Sequence, residues 1–223
     1  HRGRPGADDG LTAGRSTRRL AGCPREQAGE LALLPMSPVV DATTQESRPA
    51  AIAAAAEAVR AGELVVLPTD TVYGVGCDAF SADAVARVLE AKGRGREMPP
   101  PVLIHDVRTL DGLAIDVPPY VRDLVERYWP GPLTVIVQAQ PSLHWDLGDT
   151  FGTVALRVPD DPIARELLKE IGPMAVTSAN RTGQPPATTV LDAATQLGAA
   201  VSVYVDGGPR GAAVPSTILD CTG

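Results

Sequence analysis

The sequence predicts a mixed α/β fold, with helices packed on a twisted sheet, and two observations carry that expectation. Short apolar runs rich in β-branched residues, at 64–67, 102–104 and 154–158, read as buried strands. Between them lie stretches with apolar residues at helical spacing, with caps and stops at their ends. Some neighbouring strands follow one another without an intervening helix, so the array is not a strict alternation and the sheet has to be mixed.

In chain order, regularity begins at Ser47. Pro49 sits near a helix start, Ile52, Ala55, Ala56 and Val59 share one face, and Gly62 is the stop. Leu64-Val65-Val66-Leu67 is a strand. The following Pro68-Thr69-Asp70-Thr71-Val72-Tyr73-Gly74-Val75-Gly76 reads as a loop whose hydroxyls and carboxylate suit a small polar ligand, with glycines that let backbone come close. Ser81 caps a helix to about Ala91, with Asp83 in its first turn and Gly93 past its end. Val102-Leu103-Ile104 is a strand ending at His105. Pro118-Pro119 opens a helix that turns Val121, Leu124, Val125 and Tyr128 inward and stops at Pro130-Gly131-Pro132. Strands at 133–137 and 154–158 follow, then a helix opened by Asp160 or Asp161 with Pro162. A strand at 174–177, a helix at 189–197, and strands at 201–205 and 216–219 complete the chain.

With 223 residues, 44% hydrophobic and 21% charged, the chain matches a globular protein with one sizeable core. No apolar run approaches the roughly 20 residues that span a bilayer. The net charge of −7 argues against a surface that clings to nucleic acid as a whole and leaves room for a local basic cleft. Cys23, Cys77 and Cys221 are widely spaced without metal-ligand pairing, which suggests a thiol-reducing compartment, the cytoplasm. Residues 1–35 differ from the rest. Arg2, Arg4, Arg15, Arg18, Arg19 and Arg25 face Asp8, Asp9, Glu26 and Glu30, so this arm is net +2 and the remainder −9. It is expected to be a disordered or non-native extension, with Met36 as the start and 36–223 as the single domain.

Several familiar signals fail. Gly74-x-Gly76-x-x-Ala79 imitates a dinucleotide fingerprint, but its glycines lie past the strand rather than in a tight turn into a helix. No phosphate loop, nucleophile elbow or metal-spaced histidine pair is present. What remains are polar residues at strand ends. Lys92-Gly93-Arg94-Gly95-Arg96 puts three cations on a glycine-punctuated loop, fitting polyphosphate or, alternatively, complementing the helix C-terminus. Arg157 sits inside an apolar strand and needs an anionic partner, either an Asp or Glu of this chain or a ligand carboxylate. His105 is either a ligand contact or a satisfied half-buried histidine. Thr177-Ser178-Ala179-Asn180 ends a strand with three hydrogen-bonding side chains, and Asp206-Gly207-Gly208-Pro209 reads as a plain turn.

Together, Leu67-Pro68-Thr69-Asp70-Thr71-Val72-Tyr73-Gly74, Lys92-Gly93-Arg94, Trp129-Pro130-Gly131-Pro132-Leu133-Thr134, Val154-Ala155-Leu156-Arg157-Val158-Pro159, Thr177-Ser178-Ala179-Asn180, Asp206-Gly207-Gly208 and Ser216-Thr217 resemble the YrdC-like threonylcarbamoyl-AMP synthases. The resemblance runs from about residue 47 to the end. It implies a twisted sheet curled around one large electropositive cavity. It also implies a nucleotidyltransferase that makes L-threonylcarbamoyladenylate from L-threonine, bicarbonate or CO2, and ATP, releasing pyrophosphate. The product would pass to a tRNA threonylcarbamoyl-transferase complex for N6-threonylcarbamoylation of adenosine 37. Mg2+ would arrive with ATP, and no protein metal site is expected. By resemblance, Thr71, His105, Arg157, Ser178 and Ser216 surround threonine, with Arg157 on its carboxylate. Lys92, Arg94, Thr153, Asn180 and Thr188 surround ATP, the two cations acting catalytically on its phosphates. The Asn that often follows Lys-x-Arg in the family is missing here, where Gly95-Arg96-Glu97-Met98-Pro99-Pro100-Pro101 intervenes, and Arg96 is a substitute ATP contact. The family's Arg-Pro-Gly-type segment after the final strand is also expected, and the sequence stops at Gly223 before it. The alternative is a non-catalytic module of the same fold that presents the concavity to double-stranded RNA or tRNA. The acidic whole and 4% aromatic content oppose it.

Overall fold

The computed structural model describes residues 37–211 and 215–223. The arm at 1–35, Met36 and Cys23 lie outside the described residues. Among the described residues, nine strands form one mixed sheet. In chain order the elements are β1 (Val39–Asp41), α1 (Arg48–Arg60), β2 (Val65–Leu67), β3 (Gly74–Asp78), α2 (Ala82–Lys92), β4 (Val102–Leu103), α3 (Leu110–Leu113), α4 (Pro119–Tyr128), β5 (Leu133–Gln138), β6 (Thr153–Arg157), α5 (Pro162–Ile171), β7 (Met174–Ser178), α6 (Val190–Leu197), β8 (Val203–Asp206) and β9 (Thr217–Asp220). Across the sheet the order is β1-β8-β2-β3-β7-β4-β6-β5-β9. Four pairs are parallel (β1 with β8, β8 with β2, β4 with β6, β5 with β9) and four antiparallel (β2 with β3, β3 with β7, β7 with β4, β6 with β5).

Helices cover both faces because the strands are apolar on both. Val65 and Leu67 join a cluster with Ala51, Ala55 and Val59 of α1 and Ile163, Leu167 and Leu168 of α5. Leu64 and Val66 point the other way, into a cluster with Val85 and Val88 of α2 and Val121 and Val125 of α4, as the two-residue period of a strand requires. The expected stops act as read. The Ser81 hydroxyl accepts from the amide of Ala84, and Gly93 ends α2 at φ +64°, where a side chain would be strained. Asp161, of the two candidates, caps α5 by accepting from the amides of Ile163 and Ala164. No helix among the described residues is long and apolar enough to cross a membrane.

Three readings need correction. Gly74 and Gly76 are in β3, not in a loop, and pair with β7. A Cβ on Gly76 would lie 2.6 Å from Cγ2 of Val176 and 2.7 Å from the Ala175 carbonyl oxygen, so the glycine is required by close strand packing. Tyr128 is 48% exposed. It is the last residue of α4, the Arg127 guanidinium lies over its ring, and the buried place beyond it goes to Trp129, whose indole N–H donates to the Leu133 carbonyl. β1 was not anticipated, being three residues on the sheet edge, two of them exposed. Gly76→Ala is expected to lower stability by about 2 kcal/mol, the cost of overpacking against a backbone oxygen that has no room to yield. Urea denaturation measures it, and an unchanged midpoint would mean that β3 and β7 part easily.

Candidate functional site

A hollow of about 570 Å3 opens on the sheet, a size typical of small-ligand sites. Its wall takes Thr71 from the β2–β3 loop, Gly74 from β3, Ser178 from β7, Leu103 from β4, Arg157 from β6, Thr134 from β5 and Ile218 from β9. The six strands are neighbours in the sheet. Strands about 4.8 Å apart can turn side chains into one space only where the sheet is concave. Six of the residues singled out in the sequence meet there: Thr71, Arg94, Thr153, Arg157, Ser178 and Ser216. Lys92, His105, Asn180 and Thr188 are not part of its wall.

Arg157 is 6% exposed. Its Nη2 donates to Oδ1 of Asp70 at 2.6 Å, Nε to the Gly131 carbonyl at 3.0 Å, and Nη1 to the Thr71 hydroxyl at 3.3 Å. Of the two kinds of anion open from the sequence, this chain supplies its own, 87 residues away. Burial pulls the Arg157 guanidinium below the usual arginine range, and Asp70 opposes that. The pair also orients the β2–β3 loop. Asp70 Oδ1 accepts the Asp160 amide at 3.1 Å, and the Thr69 hydroxyl donates to the Val72 carbonyl at 2.6 Å and lies 3.0 Å from that of Thr71. The Thr71 hydroxyl is thereby held against the hollow.

Lys92 is 1% exposed. Its ammonium donates to the carbonyls of Ser178 (2.5 Å) and Asn180 (2.7 Å) and to Asn180 Oδ1 (3.2 Å). It therefore ties the end of α2 to the end of β7 from behind the hollow. Burial first, and the Arg94 cation second, push its pKa down to about 8. Arg94 does reach the hollow. Nη1 donates to the Thr177 hydroxyl at 3.5 Å, and its buried Nε has no partner among the described residues, so it keeps donors for a bound anion. Arg96, read as a substitute contact, is paired with Asp146 and Asp149. The Asn180 amide donates to the carbonyls of Arg181 and Gln184. Thr188 lies 3.4 Å from Asp192, and Nδ1 of His105 is 3.0 Å from the Arg165 carbonyl. The hydroxyls of Ser216 and Thr134 are 3.1 Å apart, and Thr153 donates to the Thr150 carbonyl.

Behind the β2–β3 loop lies an assembly the sequence reading missed, because Asp206-Gly207-Gly208-Pro209 read as a plain turn. The Tyr73 hydroxyl donates to the Gly208 carbonyl at 2.7 Å and accepts the Gly207 amide at 3.1 Å. Its burial pushes its pKa up to about 12, so it stays a donor. Arg210 lies over the Tyr73 ring and its Nη1 is 2.7 Å from Asp161 Oδ2. Burial pushes the Asp161 carboxyl up, against two α5 amides and Arg210.

Fold and site define a mixed α/β protein with a hollow on its sheet whose wall, largely apolar, carries serine and threonine hydroxyls and two arginines. A family model described as "Telomere recombination" (Sua5_yciO_yrdC) matches residues 57–223, and the chain belongs to this Sua5/YciO/YrdC family. Over 188 residues it is 50% identical to a Mycobacterium tuberculosis protein named putative threonylcarbamoyl-AMP synthase, covering 84% of this chain and 87% of that one. It is 42% identical to the Bacillus subtilis threonylcarbamoyl-AMP synthase over 172 residues, 76% of this chain and 50% of the relative. Among solved structures, Pyrococcus abyssi Sua5 complexed with L-threonine gives a TM-score of 0.78 at 33% identity, covering 82% of this chain and 54% of that one. Escherichia coli YciO gives 0.76 at 26%, covering 84% and 92%. The chain thus spans about half the length of the Bacillus and Pyrococcus proteins.

Proposed function

We propose that the protein is a transferase of the nucleotidyltransferase class that makes L-threonylcarbamoyladenylate from L-threonine, bicarbonate or CO2, and ATP. One observation carries the reading. Thr71, Arg94, Thr153, Arg157, Ser178 and Ser216, spread over most of the domain, line a single hollow. The relatives' names and the threonine in the Pyrococcus complex support it. Threonine's neutral amine attacks CO2, forming an N–C bond and releasing a proton, which leaves an N-carboxylate. A carboxylate oxygen then attacks the α-phosphorus of ATP, and the bond to the β-phosphate bridging oxygen breaks as pyrophosphate departs. The N-carboxylate and ATP are both anionic, so catalysis of the second step consists mainly of holding like charges in line and neutralising the leaving group. Arg157 and the hydroxyls of Thr71, Ser178 and Ser216 seat the amino acid. Arg94 and Thr153 face the nucleotide, with Mg2+ brought as part of the ATP substrate. Lys92 acts by holding Ser178 and Asn180, and His105 and Thr188 lie outside the wall. The field of the cavity is positive in this reading, and the product passes to a tRNA-modifying transferase.

The test is incorporation of labelled bicarbonate into product, dependent on both threonine and ATP. Salt-sensitive RNA binding with no threonine-dependent pyrophosphate release would replace this reading with an RNA-binding module. Arg94→Ala is expected to cost about 2–4 kcal/mol in kcat/KM for ATP, the loss of a charge-assisted donor to a phosphate, with threonine affinity within about twofold of wild type. Steady-state kinetics with each substrate varied in turn measure both.

A further inference from the structure

We infer that Arg210 is a positioning residue for the amino-acid end of the hollow, acting through the carbonyl of Thr69. The inference rests on the function proposed above. The Arg210 guanidinium is 16% exposed and has a fixed place. Nη1 donates both to Asp161 Oδ2 at 2.7 Å and to the Thr69 carbonyl at 3.3 Å, Nε donates to the Gly208 carbonyl at 3.3 Å, and Nη2 donates to the carbonyl of Gly207. The plane lies 5.7 Å over the Tyr73 ring. Asp161 cannot turn away, because the same carboxylate caps α5. The acid is thus anchored to a helix and the arginine to the acid, while the remaining donors hold two stretches of backbone.

One of those stretches is the loop that presents Thr71. Thr69 and Thr71 share a hydrogen bond, and the Thr71 amide donates to the Thr69 hydroxyl. Arg157, paired with Asp70, holds this loop from one side. Arg210, paired with Asp161, holds it by Thr69. Two residues and two hydrogen bonds separate Thr69 from the Thr71 hydroxyl, so a displacement at Thr69 is passed on to it. Arg210 does not line the hollow. Its backbone amide donates to the Thr188 carbonyl at 2.7 Å, a bond that side-chain replacement leaves intact, and among the described residues its side chain has no hydrogen bond to Arg94 or Thr153. The side chain therefore bears on threonine and not on ATP.

The experiment is a kinetic split in Arg210→Met and Arg210→Lys, with threonine binding followed by calorimetry and folding by circular dichroism. Arg210→Met is expected to raise KM for threonine about tenfold, the scale of one misplaced charge-supported contact, and to leave KM for ATP within about twofold. A merely structural role would lower the amount of folded enzyme and leave both KM values where they were, and that result overturns the inference. If Arg210→Met does not fold, Arg210→Lys decides. It keeps the charge opposite Asp161 but cannot also reach Thr69 and Gly207, so threonine KM is expected to rise several-fold, and an unchanged value overturns the inference. A wild-type protein that binds threonine but makes no labelled product sinks the proposed reaction instead. The calorimetric comparison of wild type and variants then still decides the role of Arg210.

Discussion

Arg157→Ala is expected to lose about 3–5 kcal/mol of folding stability, the penalty for removing one member of a buried ion pair, and to abolish threonine binding. Asp70 would keep only the Asp160 amide, and the Gly131 carbonyl and Thr71 hydroxyl would lose their donor. A loss of activity alone would not distinguish a missing ligand contact from a collapsed loop. The double variant Arg157→Met with Asp70→Asn separates them. It removes both charges at near-constant volume, and such neutral replacements often restore stability. Stability by urea denaturation is expected to recover by more than half, while calorimetry still finds no threonine binding. Near-normal threonine affinity in the double variant would remove Arg157 from the amino-acid site and leave it a structural role.

Lys92→Met is the second large effect. Two backbone carbonyls would be left without their buried donor, at about 1–3 kcal/mol each, and the end of β7 that carries Ser178 and Asn180 would be released. The pH profile gives a separate signature. The Lys92 pKa is about 8 in the folded chain against 10.5 for an ordinary lysine. Between those values the unfolded chain binds more protons, so stability should rise as pH climbs from about 8 towards 10.5. Below about 8 the cost of burying the charge is fully present. The Met variant lacks this rise. Denaturation midpoints at a series of pH values test it, and parallel profiles for the two proteins would show that the three acceptors around the ammonium offset its burial.

Local chemistry made much of the fold legible. Ser81 and Asp161 with Pro162 open helices, and Gly93 and the Pro130-Gly131-Pro132 segment close them, through contacts within a few residues, and such contacts leave a local trace. β3 left none. Its two glycines have poor strand propensity, and the reason for them, Val176, lies 100 residues downstream. The site divides in the same way. That Arg157 required an anion followed from an arginine among apolar neighbours, but that the anion is Asp70 depends on β6 lying close to the β2–β3 loop. The cluster at 92–96 looked like a mobile basic loop, because spacing cannot distinguish a lysine that donates inward from one that faces solvent. Arg210 sits among glycines and a proline, where no periodicity could mark its side chain as turned inward.

β9 joins only β5 among the described residues and is one edge of the sheet; β8, ten residues of chain earlier (207–216 between them), lies next to the other edge. The strand bearing Ile218, with Ser216 just before it, therefore leaves the ribosome after every other strand that shapes the hollow. A nascent polypeptide paused before β9 has an open trough in which the Thr134 hydroxyl meets water instead of Ser216. Full ligand protection against proteolysis is therefore expected to set in only once synthesis has passed β9.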